Sequence, residues 1–159
     1  MAGLFWITPE TVYLGAPPST TPSAVTLGPT GLTILGPQAG FWLWKHIAGL
    51  TVEDAPTRST MARSLAAALA VILGPQSPTE MTVRLETTDG SKLAIPVHSA
   101  AAFAYTICEV DLSQGLLDQM VRGKTSPASF TKWLRTSACT RPLRPAKREA
   151  LLHHWMENS

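Results

Sequence analysis

Residues 81–97, MTVRLETTDGSKLAIPV, constrain the fold more than any other stretch of the chain. Met81, Val83 and Leu85 alternate with Thr82, Arg84 and Glu86; Leu93, Ile95 and Val97 alternate with Lys92, Ala94 and Pro96. Such alternation marks strands with one buried and one wet face. Two of these runs around Asp89-Gly90 predict a β-hairpin. A two-residue Asp-Gly turn would set Leu85 against Ala94 and Thr87 against Lys92. The apolar set of one strand would then share a face with the polar set of the other, which a half-buried sheet does not tolerate. A three-residue loop, Thr88-Asp89-Gly90, instead pairs 85 with 93, 83 with 95 and 81 with 97, with Gly90 in the left-handed position. Pro96 then points away from the core and marks an edge or a strand end. The implied class is antiparallel β.

The same reading extends along the chain. Residues 4–14, LFWITPETVYL, predict a strand pair or one bent strand broken at Thr8-Pro9. Residues 15–24 form a Pro/Ser/Thr loop. Val25 and Leu27 pair with Leu32 and Ile34 around Gly28-Pro29-Thr30-Gly31, whose proline and glycine suit a type I turn. In residues 40–56, Trp42, Trp44, Leu50 and Val52 share one parity, which assigns the tryptophans to the core, and Ala48-Gly49 marks a turn or bulge. Residues 61–73 are Ala/Leu-rich and stop at Gly74-Pro75, which predicts a mostly buried inserted helix. Leu112, Leu116, Leu117, Met120 and Val121 form a helical stripe, with Ser99 or Asp111 as candidate caps, so a helix near 111–122 closes the fold. Ser126-Pro127 opens a short helix through Phe130, Trp133 and Leu134. A last helix, 146–155, is expected to be exposed or loosely docked.

The chain of 159 residues is long enough for one domain with a real core. Residues 121–159 carry eight Lys/Arg against two acids, while residues 1–120 carry five against nine, so the ends differ in sign, +6 against −4. The division predicted is therefore 1–123 as the β domain and 124–159 as a helical, basic extension. Cys108 and Cys139 have no metal spacing, and Cys108, in an apolar segment, reads as a buried thiol. No secretory signal is visible, and the longest apolar run, Leu65–Leu73, is about half a membrane span. These features predict a cytoplasmic setting, with attachment to a membrane surface as the alternative.

The order of elements, with the W-x-x-I-x-x-L-x-V run Trp44–Val52 (WKHIAGLTV) on the third and fourth strands, resembles the pleckstrin-homology-like superfold of bacterial PH-like domains over about residues 4–122. The resemblance implies an α+β, mainly β architecture: a sandwich or barrel of about six to seven antiparallel strands closed by a C-terminal helix. The helix at 61–73 is extra to the simplest form. Lipid-binding PH domains carry Lys/Arg in the loop joining their first two strands, whereas Gly15–Ala24 holds neither. The resemblance thus implies an interaction module rather than an inositol-phosphate reader.

No catalytic or nucleotide-binding motif is present in the sequence. His46, His98 and Glu109 are the candidates for a remote alternative, a small enzyme or ligand-binding barrel, and Glu109-x-Asp111 reads as a helix N-terminal pair. No metal or cofactor is expected. The candidate partner- or anion-binding residues are Arg135, Arg141, Arg144, Lys147, Arg148 and Trp155 in the basic tail. Such a segment suits an acidic protein surface or anionic lipid, where each charge contributes about 1 kcal/mol; nucleic acid is disfavoured, because stacking aromatics are few. The expected function is non-enzymatic: a scaffold binding a protein partner or a second copy, with peripheral membrane binding through the tail as the alternative.

Overall fold

The computed structural model describes residues 1–18, 23–57, 79–101, 104–137 and 143–158. The predicted helix at 61–73 lies outside these residues, as do Cys139 and Arg141. Among the described residues, eight strands and three α-helices make a mixed α+β structure. β1 (Phe5–Ile7), β2 (Val12–Leu14), β3 (Ala24–Leu27), β4 (Gly31–Leu35) and β5 (Gly40–Leu43) form a five-stranded antiparallel meander. After a 3-10 turn at Trp44–His46, β6 (Ile47–Glu53), β7 (Glu80–Thr87) and β8 (Lys92–His98) form a three-stranded antiparallel sheet. The count exceeds the expected six to seven because residues 4–14 make two strands. The strands form two separate sheets rather than one closed barrel.

Both predicted hairpin registers are present. Leu85 pairs with Leu93, Val83 with Ile95 and Met81 with Val97; Leu27 pairs with Leu32 and Val25 with Ile34. Gly90 has φ +87°, and the 88–90 loop is pinned by Asp89, whose Oδ1 accepts from Thr87 Oγ1 at 2.5 Å and Ser91 N at 3.0 Å. Pro96 is exposed on β8, an edge strand. A register shift between Ile47 and Gly49 gives β6 its bulge, while the turn between β5 and β6 is the 3-10 turn. Trp42 and Trp44 are half-buried and pack on the core rather than inside it. The inner faces of both sheets enter one apolar cluster, with Phe5, Leu14, Leu32 and Ile34 from one and Leu50, Met81, Leu85 and Ile95 from the other.

Helix α1 (Ile107–Val121) begins earlier than its apolar stripe suggests. Its cap is Thr106, in a reciprocal capping box: Thr106 Oγ1 accepts from Glu109 N at 3.0 Å and Glu109 Oε2 accepts from Thr106 N at 2.9 Å. Helical phase then turns Glu109, Ser113, Leu116, Leu117 and Met120 inward and leaves Ile107 and Cys108 exposed. The expectation of a buried Cys108 thiol fails for this reason. α1 lies along β6, where the Gln114 side chain behaves like a peptide unit of a neighbouring strand: Nε2 donates to Leu50 O at 2.7 Å and Oε1 accepts from Val52 N at 3.0 Å.

Helices α2 (Ala128–Thr136) and α3 (Pro145–Glu157) bring Phe130, Leu152 and Trp155 into the same core. The last helix is therefore docked, not exposed. Trp155 stacks on Phe130 with centroids 4.1 Å apart, and Phe130 meets Phe5 of β1 edge-on at 5.2 Å. Gly3, at φ +53°, permits the close approach of the N-terminus to α1 and α3: a Cβ there would lie 2.2 Å from Ser113 Oγ and 2.9 Å from Leu152 Cδ1.

Candidate functional site

The tail residues do not form one surface. Arg148 reaches inward from α3: its Nε and Nη2 both donate to the Glu109 carboxylate, the latter at 3.2 Å, and Nη1 donates to Leu143 O at 3.2 Å. Glu109 is fully buried and the Arg148 side chain nearly so. Beside this pair, Thr106 Oγ1 donates to Glu149 Oε1 at 2.5 Å. Trp155 belongs to the aromatic stack. Arg135, on α2, donates Nε and Nη2 to the Pro9 carbonyl at 2.9 and 2.5 Å. Arg144 and Lys147 are exposed at the start of α3. Arg141 lies outside the described residues.

The structure instead assembles a surface on the outward face of the five-stranded sheet. Trp6 pairs with Tyr13, Tyr13 with Thr26, Thr26 with Thr33 and Thr33 with Phe41, so one row crosses all five strands. Its ends are exposed aromatics, Trp6 at 37% and Phe41 at 55%. Side-chain alternation forces the row outward, because Phe5, Ile7, Val12, Leu14, Val25, Leu27, Leu32 and Ile34 point into the core. Thr26 Oγ1 donates to Thr33 O at 3.4 Å. The Phe41 ring leans over Gly31, where a Cβ would sit 2.9 Å from Cζ.

One end of this face deepens into a groove of about 510 Å³ between the β3–β4 turn and α2. Thr26, Thr33 and Phe41 form the sheet wall, Thr131 and Arg135 the helix wall, and Glu10 and Thr11 the floor of the β1–β2 turn. Hydroxyls, one ring, one cation and one carboxylate thus converge on a surface of mixed polarity. The parity of Trp6 and Tyr13 was the available sequence signal for it; the row becomes visible only once the meander order brings five strands side by side.

The outward face of the smaller sheet differs. It holds a trough of about 360 Å³ over Gly49 and Ala94, but its charges answer one another: Arg84 Nε lies 2.6 Å from Glu53 Oε2, and Lys92 Nζ 3.5 Å from Glu86 Oε1. His46 is exposed in the 3-10 turn and His98 sits 3.7 Å from Glu80, so these two do not meet Glu109 in a common site. Desolvation and the carboxylates of Glu149, Asp111 and Glu109 push the Cys108 thiol up, away from the nucleophilic thiolate. Burial likewise pushes the Tyr105 phenol up, with its oxygen accepting from Ala100 N at 3.0 Å. Among the described residues, no three His, Cys, Asp or Glu side chains gather as metal ligands, and no helix is long and apolar enough to cross a membrane. No family model, curated protein or solved structure matches the chain.

Proposed function

We propose that the protein is a non-enzymatic interaction module of PH-like architecture that engages a protein partner through the outward face of its five-stranded sheet. The observation that carries this reading is the Trp6–Tyr13–Thr26–Thr33–Phe41 row with its adjoining groove. A flat wall with exposed rings at both ends and hydroxyls between them has the composition of a protein-recognition patch, where rigid aromatic side chains supply area and hydroxyls supply adaptable hydrogen bonds. The PH-like reading is supported by two antiparallel sheets around one core, followed directly by a helix that packs on the second sheet. The membrane alternative has weaker support, since of the candidate tail residues described Arg148 and Trp155 are taken into the packing and the exposed Arg135 is held on the Pro9 carbonyl, which leaves Arg144 and Lys147 exposed.

Affinity capture followed by mass spectrometry tests the proposal, comparing the wild type with Trp6→Ser and Thr131→Arg, each checked for folding by circular dichroism. A partner retained by the wild type and lost by both variants supports it. A partner retained equally by all three refutes the assignment of this face. Anionic vesicles that sediment the wild type, but not an Arg144→Ala/Lys147→Ala variant, would favour the membrane reading instead.

A further inference from the structure

Two open sheets have four edges, and three are closed by recognisable devices. At β6 the outward carbonyl of Leu50 and the outward N–H of Val52 are taken by the Gln114 amide. At β8 the outward positions are Lys92, Ala94, Pro96 and His98; Pro96 has no N–H, and the His98 carbonyl accepts from Ala16 N at 2.8 Å. At β1 Phe5 exchanges both its hydrogen bonds with Ala2, at 2.9 and 3.0 Å, and α2 packs alongside, with Arg135 on the Pro9 carbonyl. Edges are normally closed in such ways because an unpaired strand invites another chain.

β5 lacks any such device. The Trp44 N to Thr30 O bond sets the ladder phase, so Gly40 and Trp42 bond to β4 while the N–H and C=O of Phe41 and the N–H of Leu43 point outward. Among the described residues, neither Phe41 group nor the Leu43 N–H is bonded, while the Leu43 carbonyl, at the N-cap of the 3-10 turn, accepts the first bond of that turn. The strand GFWL and the residues from Gly36 to Trp44 contain no charge. Phe41 is the most exposed aromatic among the described residues and Leu43 is half-buried on the same face.

We infer that β5 is a self-association edge, at which a second copy of this chain pairs antiparallel about a two-fold axis. The register follows from the outward groups. Phe41 of one copy faces Leu43 of the other; in each pair Leu43 N donates to the Phe41 carbonyl, and the Leu43 carbonyl, which already accepts once within the 3-10 turn, offers its second lone pair to Phe41 N, with Trp42 on the axis. The strand is self-complementary, as an isologous interface requires. Charge is compatible as well: Lys45, the nearest cation, falls opposite Ala39 of the second copy, so no like charges meet. On the outer face, Phe41 lies beside Leu43 of the other copy and covers apolar surface that a monomer leaves wet. The area sets the strength. Phe41 at 55% exposure leaves roughly 110 Å² uncovered per copy, well below the ~800 Å² per partner of a standard stable interface. The pairing is therefore weak and concentration-dependent.

This inference rests on the interaction-module reading for its biological sense and shares Phe41 with that face, but Leu43 and the β5 backbone lie outside the row, so Leu43→Pro and Trp6→Ser let the two fail separately. Sedimentation velocity over a wide concentration series is the test. Leu43→Pro is the sharpest variant, because Leu43 already has φ −65° and its N–H serves nothing inside the molecule. Phe41→Lys places a charge on the edge without touching the backbone. The expected result is a weight-average mass rising toward twice the monomer for wild type and for Trp6→Ser. Leu43→Pro stays monomeric, and the Kd of Phe41→Lys is weakened at least about tenfold. A wild type that is monomeric throughout overturns the inference. So does either edge variant associating like wild type. A monomer that still captures a partner through Trp6 and Thr131 overturns the strand pairing alone.

Discussion

Arg148→Met is expected to be among the most damaging single changes in this protein, although it replaces a residue of a basic tail. The Glu109 carboxylate is fully buried and accepts from Arg148 Nε, from Arg148 Nη2 at 3.2 Å and from Thr106 N at 2.9 Å. Methionine preserves much of the apolar stem but removes two of the three donors and the only opposing charge. Orphaning one member of a buried pair costs about 3–5 kcal/mol, against a total stability of about 5–15 kcal/mol for a typical domain. Chemical denaturation followed by far-ultraviolet circular dichroism measures this directly. The control is Arg144→Ala, one turn away and exposed, expected within about 0.5 kcal/mol of wild type. The decisive arm is Glu109→Gln combined with Arg148→Met. Glutamine can still accept from Thr106 N at the capping position, and no buried charge remains. The double variant should recover most of the loss. If Arg148→Met costs under about 1 kcal/mol, or the double variant is no better than the single, then the buried pair does not hold α3 against α1.

Gln114→Ala strips β6 of its edge partner and leaves Val52 N and Leu50 O unpaired; a loss of about 1–3 kcal/mol is expected, with faster amide exchange at Val52. Trp155→Ala removes the ring stacked on Phe130 and should cost about 3–5 kcal/mol in denaturant unfolding. The Asp89 carboxyl is held at about 2, against its ordinary 3.8, by the Thr87 hydroxyl and then the Ser91 groups. A depressed folded-state value means the contribution is complete above the ordinary value and lost as pH falls from about 4 to about 2. Asp89→Asn should therefore flatten stability against pH in that window alone, and carboxyl titration by nuclear magnetic resonance should place the Asp89 midpoint near its lower end.

What could be read from the chain was local. The 81–97 register follows from period-two alternation and one glycine, and the 25–34 register from a four-residue turn, because both signals lie within the segments that pair. The start of α1 is also written locally, as the T-x-x-E of Thr106–Glu109, but it lies ahead of the apolar stripe that begins at Leu112. The charged residues were not legible. Arg148 looks like part of a solvated basic run until its partner is known, and that partner lies 39 residues away. Gln114 bonds to backbone 62 and 64 residues distant. The outward aromatic row has the same character: Trp6 and Phe41 become ends of one surface only through the order of five strands.

The polar residues of α1 do more than hold the helix. Apolar contacts through Leu116, Leu117 and Met120 are non-directional and would tolerate rotation or sliding of the helix on the sheet. Three hydrogen-bonded side chains remove that freedom: Glu109 fixes α3, Gln114 fixes β6, and Ser113 Oγ accepts from Leu4 N at 3.1 Å while donating to Glu109 O at 2.7 Å. The bond to Leu4 places the N-terminal residues where Ala2 closes Phe5 on β1. One helix thus closes the β6 edge directly and supports closure at β1, leaving β5 as the open edge. Loss of α1 anchoring should therefore expose new edges rather than strengthen the one already open. Gln114→Ala should aggregate through β6, so adding Leu43→Pro would not suppress that aggregation, whereas the reversible association of the wild type would disappear with Leu43→Pro alone. Light scattering of the single and double variants distinguishes the two routes; suppression of the Gln114→Ala aggregate by Leu43→Pro would show that both run through β5 and that the Gln114 contact is not an edge seal.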